Sequence, residues 1–300
     1  MKKKTYLFAL MAMVLTLGSC SDNENGIGGE TSKYITVSTS IGNMTRVATD
    51  AKGGQTFEEG DEISVYAWTG DATVAPETRE RVVNNAINKL TNGSWISNPQ
   101  MLWKNNRDKH YFIGVYPISA ISDLSAGEYT FDVNKQTESD LLVAVNKDGL
   151  SYNVDEQQPV PLTFTHVMAK LAVNLTYKNQ WGGIPTVEKV VVGNAAKEAT
   201  INYLTKVVTP STTAKEDFSL PEITENTKYV SVIIPQEEVT QLTIVIGGKN
   251  FVYDNGTPFK LESGKITTVN LEVGRDEIKL GDVKITNWED GSTFSGEALN

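Results

Sequence analysis

One cysteine, two histidines and a run of acids hold most of the chemistry open to this 300-residue chain. No second thiol follows Cys20, which excludes a disulfide framework and any cysteine-built metal site or nucleophile in the chain behind it. His110 and His166 stand far apart, and neither has a His-x-x-x-His neighbour with which to share a metal ion. His166 lies between Phe164 and Met168 in strand-like surroundings, which favours a buried, hydrogen-bonded imidazole over a general base. Glu58, Glu59, Asp61 and Glu62 offer the oxygen ligands calcium takes, but without the Asp/Asn/Gly periodicity of a calcium loop, so a solvated turn is expected. No Gly-x-Ser-x-Gly elbow occurs, and Ser263-Gly264-Lys265 lacks the glycine spacing of a phosphate-binding loop. Trp68, Trp95, Trp103, Trp181 and Trp288 would make a glycan platform if exposed. The first two and the last fall in strand patterns, where packing against a core is expected. These residues predict no enzyme, no metal and no cofactor.

Cys20 has a different use. Lys2, Lys3 and Lys4 precede an apolar run over residues 6–17, too short to span a bilayer of roughly 30 Å as a helix but suited to a signal peptide. The run ends in Leu17-Gly18-Ser19-Cys20, which resembles a bacterial lipobox, where the thiol takes a diacylglyceryl group and the cysteine becomes the mature N-terminus. An ordinary signal peptide with a chance cysteine is the alternative. Each buried methylene of an acyl chain such as palmitate contributes roughly 0.8 kcal/mol, so a multiply acylated Cys20 is a stable anchor. Residues 1–19 then form the lipoprotein signal peptide. The polar, glycine-rich stretch 20–32 reads as a flexible tether.

The remaining residues read as strands. β-branched and aromatic runs are expected at 34–41, 63–68, 110–116, 129–133, 141–145, 162–168, 170–177, 187–192, 229–234, 242–246, 251–253, 259–261, 265–273 and 282–288. Residues 78–90 carry some helical pattern, but Asn92-Gly93 suggests a hairpin arm returning through Trp95. Asp254-Asn255-Gly256 is expected to turn a second hairpin. Short strands separated by Gly/Asn/Pro turns predict an all-β protein built of β-sandwiches. The polar, proline-bearing stretch 152–161 is the best place for a change of domain, giving an N-terminal sandwich over 33–160 and a C-terminal one over 161–300. A net charge of −10 and a pI near 4.9 leave no basic stripe for nucleic acid.

Five strings in order carry a family resemblance: Thr45-Arg46; Phe57-Glu58-Glu59-Gly60-Asp61-Glu62-Ile63-Ser64-Val65-Tyr66; Tyr111-Phe112-Ile113-Gly114-Val115-Tyr116-Pro117; Asp140-Leu141-Leu142-Val143-Ala144; and Phe164-Thr165-His166-Val167-Met168-Ala169-Lys170-Leu171. With the lipobox, the chain resembles the fimbrillin-like (minor fimbrium-like) lipoproteins of Bacteroidales, subunits of type V pili. The resemblance implies two tandem transthyretin-like (Greek-key) β-sandwiches and export as an acylated precursor to the outer membrane and cell surface. It also implies cleavage by an arginine-specific protease after the first strand, and filling of the vacated groove by a C-terminal strand of the next subunit. Arg46 matches the Thr-Arg position, so the cut would fall between Arg46 and Val47; a solvated loop arginine is the alternative, with Lys52 close by. The donor candidate carries Ile278, Leu280, Val283 and Ile285. Those two pairs have opposite parity, so one face holds all four only if the strand bends or bulges at Gly281.

Two roles follow. The first is a structural fimbrial subunit that joins other copies or related subunits by β-strand addition, anchors through its lipid before processing, and supports adhesion to host or bacterial surfaces. The second is a non-polymerising surface lipoprotein that captures glycans.

Overall fold

The structure, a computed structural model, describes residues 33–42, 56–153 and 158–288. Its strands in chain order are β1 (Val37–Ile41), β2 (Glu62–Thr69), β3 (Arg81–Thr91), β4 (Ser94–Asn98), β5 (His110–Tyr116), β6 (Gly127–Thr130), β7 (Leu142–Leu150), β8 (Val160–His166), β9 (Ala169–Tyr177) and β10 (Val187–Ala196). They continue as β11 (Glu198–Asn202), β12 (Val207–Pro210), β13 (Lys215–Ser219), β14 (Glu222–Thr224), β15 (Lys228–Ile233), β16 (Gln236–Ile246), β17 (Lys249–Leu261), β18 (Lys265–Val273) and β19 (Ile278–Asn287). One short α-helix, α1 (Gln136–Ser139), interrupts them. The protein is all-β.

Seven strands form the first sheet in the order β1-β8-β7-β5-β2-β3-β4. Its central strands are buried on both faces, which is why they read as continuous apolar runs. Ile63, Val65, Ala67, Phe112, Leu142 and Ala144 enter a smaller core, with Phe164 and Leu162 of β8. Tyr66, Trp68, Ile113, Val115 and Val143, on the opposite face, enter a larger core shared with the second half of the chain. The sheet curls until its edges meet: the Trp95 indole N–H on β4 donates to the Thr39 hydroxyl on β1 at 3.0 Å.

The second half supplies a five-stranded sheet (β14-β15-β9-β18-β19) and a four-stranded sheet (β13-β10-β16-β17). Leu171, Val173, Val269 and Leu271 from one pack with Val190, Val192, Leu242 and Ile244 from the other in the larger core. A three-stranded sheet, β12-β11-β6, adds the β11–β12 hairpin to a strand of the first half. From Lys33 onward the described residues form one compact unit. The division placed between residues 160 and 161 falls inside β8, which is paired with β7 and β1; the chain leaves the first sheet between His166 and Ala169.

Two turns separate expectation from outcome. Asn92 (φ 51°) and Gly93 (φ 72°) do turn β3 into β4, as two left-handed residues in a two-residue loop should. Asp254-Asn255-Gly256, however, does not reverse the chain: β17 runs through it, opposite a register shift between Val239 and Gln241. The reversal sits at Gly247 (φ 58°) and Gly248 (φ 73°), whose lack of a Cβ makes both left-handed angles accessible. Strands β11 to β14 are only three to five residues long, too short to set a pattern; β12 and β14 bury no residue and β13 only Phe218.

Gly114 shows how close the first sheet packs. A Cβ there would stand 2.7 Å from Phe164 Cζ and 3.2 Å from Leu162 Cδ1. Gly114→Ala should therefore lower stability by about 1–3 kcal/mol through overpacking. A fall in the urea midpoint with an unchanged slope is the expected reading, and an unchanged midpoint would contradict this packing.

Candidate functional site

The two histidines and the acidic run are used structurally. His110 is fully buried; its Nδ1 faces the Asp108 carbonyl at 3.1 Å, and its Nε2 accepts from the Lys104 backbone N–H at 3.0 Å. That pattern needs a neutral ring, and burial holds its pKa below the ordinary value. His166 is buried, with Nδ1 2.8 Å from Asp140 Oδ1 and its ring stacked on Trp288 at 3.9 Å. The acids close turns: Glu59 accepts from the Asn92 N–H at 2.6 Å, Asp61 from the Glu58 N–H at 2.7 Å, and Glu62 pairs with Lys89 at 3.1 Å. Trp68 and Trp288 are buried and Trp95, Trp103 and Trp181 half-buried, so none of the five offers an exposed platform. A cleft of about 830 Å³ beside Trp103 contains Asp71, Arg81 and Lys104. There Asp71 caps Thr73, Arg81 donates to the Ile121 and Ser122 carbonyls, and Lys104 donates to Thr69.

Two edge strands stand apart from this. β1 lies parallel to β8, from Val37 opposite Val160 to Ile41 opposite Phe164. It is held at both ends: the Val160 N–H donates to Thr36 O and the Gly42 N–H to Phe164 O, each at 2.8 Å. Residues just before it bond to the stretch ahead of β5, Ile35 N–H to Met101 O at 2.9 Å and Trp103 N–H to Lys33 O at 3.0 Å. Odd-numbered residues face inward. Ile35 and Val37 are buried, and Ile41 packs against the same core. Phe57 closes the site edge-on to Trp95, Tyr116 and Phe164, with centroids 5.1–5.3 Å away.

Each fully buried aliphatic side chain contributes about 1.5–3 kcal/mol. Val37 of this strand and Ile35 just before it, with the half-buried Ile41 adding less, thus carry a sizeable part of the roughly 5–15 kcal/mol by which a whole domain is stable. Losing β1 would expose a groove of that value and the unpaired backbone of β8.

β19 is the second edge strand, antiparallel to β18. Leu280 stands opposite Leu271 and Asp282 opposite Asn270, so Gly281 is the extra residue of a bulge. Ile278, Leu280, Val283 and Ile285 are thereby opposite Val273, Leu271, Val269 and Thr267, all on one face. A Cβ on Gly281 would meet Asn270 O at 3.2 Å, which explains a glycine there. Ile278 and Leu280 are half-buried against the larger core, whereas Val283 and Ile285 are each 37% exposed. The strand carries an apolar stripe of the kind β1 uses, half of it unused. Cys20, Arg46 and Val47 lie outside the described residues.

Comparison with known proteins points one way. A sequence model described as fimbrillin-like matches residues 45–288. The chain is 25% identical, over 97% of both chains, to a Bacteroides uniformis protein named as a candidate fimbrium subunit, Fim1C. Its fold resembles a candidate cell adhesion protein from Bacteroides uniformis (TM-score 0.63, 19% identity, 86% of this chain and 100% of that one). It also resembles one from Bacteroides ovatus (TM-score 0.61, 17% identity, 85% and 98%).

Tyr116, beside Phe57, gives a pH test of the β1 site. Burial first, and then the Asp61 carboxylate, push its pKa from 10.0 up to about 12. A group whose folded pKa is raised adds stability below its unfolded pKa, and that stability is lost as pH climbs through the folded value. The urea midpoint should thus fall between pH 10.0 and about 12, less steeply in Tyr116→Phe. Identical slopes in the two proteins would contradict the environment described here.

Proposed function

The chain belongs to the fimbrillin-like family, and from that premise we propose that it is a non-enzymatic structural subunit of a cell-surface fimbrium, assembled by exchange of β1 for β19 of another copy or a related subunit. The observation that carries the reading is the pair of edge strands: a short one filling a core groove, and another with a matching stripe half exposed. Main-chain bonds along β8 would supply affinity and the alternate apolar side chains would set register.

The full sequence of events is part of the proposal. The precursor is exported, acylated on Cys20 and held at the outer membrane, and cleavage between Arg46 and Val47 then releases residues 20–46 with β1. Exposed apolar surface and unpaired N–H and C=O groups make the open groove costly until a partner strand fills it. Adhesion to host or bacterial surfaces is a property of the assembled fimbrium. The glycan-capturing alternative finds no support in the tryptophans, none of which is exposed.

Two variants test this. Arg46→Ala should leave lipidated precursor and abolish ladders of heat-labile oligomers; ladders identical to wild type would refute the cut. Ile285→Asp, at a partly exposed position, should lower monomer stability by only about 1 kcal/mol and yet suppress the same ladders. Unchanged ladders would remove β19 as the donor.

A further inference from the structure

β8 carries more than the partner of β1. Phe164 on that strand stands opposite Ile41, and its carbonyl accepts the Gly42 N–H. Two residues further on, His166 stacks its imidazole on the indole of Trp288, with ring centroids 3.9 Å apart and planes within 5°. The imidazole is itself fixed by Asp140, at 2.8 Å. The Lys170 ammonium lies 4.3 Å from the Trp288 ring centroid, and the Trp288 backbone N–H donates to Gly264 O at 3.0 Å. Burial pushes the Lys170 pKa below its ordinary value, against the pull of Asp140.

Trp288 directly follows β19 and is 6% exposed. The strand before it is loosely held. From Gly281 to Ile285 every residue is exposed, and Ile278 and Leu280 at its start are only half-buried. Besides the ladder with β18 and the Asn270 amide that donates to Asp282, the strand is held at its ends, by Ile278 and Leu280 at its start and by Trp288 just after it. Aromatic stacking and a cation on the ring each favour the docked position of the strand end.

We propose that Trp288 is the positioning residue that latches β19 to its own subunit, and that its stack on His166 ties release of β19 to the occupancy of the β1 groove. With β1 in place, β8 is bonded on both edges and His166 is presented to Trp288. When β1 leaves, the end of β8 loses its partner at Phe164 and the stack weakens, so a subunit becomes a ready donor after becoming an acceptor. Such coupling is reciprocal: loosening Trp288 loosens β1 by the same factor. The link to assembly rests on the strand-exchange reading; the latch itself does not.

Hydrogen exchange read by mass spectrometry on the full chain tests the latch without any polymerisation. Trp288→Ala should speed exchange in β19 by about tenfold while β9 and β15 keep wild-type rates. Trp288→Phe, which keeps a ring over His166, should recover most of the protection. Unchanged β19 exchange in Trp288→Ala, or acceleration spread equally over β9 and β15, would overturn the latch. Ile41→Ala, which weakens β1 beside Phe164, should also speed β19, and the increment should vanish when Trp288→Ala is added. Independent, additive effects would overturn the coupling. Failure of every chain, wild type included, to form oligomer ladders while exchange behaves as stated would refute strand exchange and leave the latch standing.

Discussion

The pairing of β1 with β8 is the constraint on which the rest depends. The first sheet is buried on both faces through β2, β5 and β7, so its edge cannot be left bare at the end that reaches the smaller core. An open edge there would combine unpaired backbone groups with apolar surface, two of the costliest features a soluble fold can carry. β1 resolves both with a short segment whose backbone pairs with β8 in the sheet, whose Thr39 hydroxyl accepts from Trp95 on β4, and whose preceding residues bond to the stretch ahead of β5. Its loss would leave the six-strand order from β8 to β4 intact. The cost is local, and that makes the strand replaceable where a central one would not be.

The C-terminal edge obeys the same logic with the opposite emphasis. The bulge at Gly281 brings four apolar residues to one face, yet the body beneath covers only the first two well. A strand with more stripe than its own core uses is available to another core. Between the two edges stands a small buried polar group, Asp140 with His166, capped by Trp288 at the end of one strand and reached along β8 from the other.

Much of this was legible in the residues, for identifiable reasons. Long β-branched runs such as 265–273 betrayed their strands, and Asn92-Gly93 its hairpin, because sheet and turn each demand a narrow set of side chains or angles. Opposite parity across Gly281 required a bend or a bulge if one face was to hold all four residues, and the register shift there is a bulge. The Asp254-Asn255-Gly256 signal misled because a run that permits a reversal does not compel one when Gly247-Gly248 lies a few residues upstream. Short strands such as β12 and β14 carry too few buried positions to show a pattern. The stack of His166 on Trp288 joins residues remote in sequence and left no local trace; burial of His166 was foreseen, its partners were not. Arg46 was singled out by family resemblance, because a lone arginine in a loop has no physical signature of its own.

The account stands or falls on which strand occupies the groove along β8 in the assembled state. A cryo-EM reconstruction of fimbriae carrying this subunit, at a resolution that separates side chains, would read it directly. The account predicts that each subunit begins at Val47 and that density beside residues 160–166 traces Ile278, Leu280, Val283 and Ile285 of a neighbouring copy or related subunit. Residues 37–41 of the same subunit still lying beside β8 throughout the fibre would contradict it.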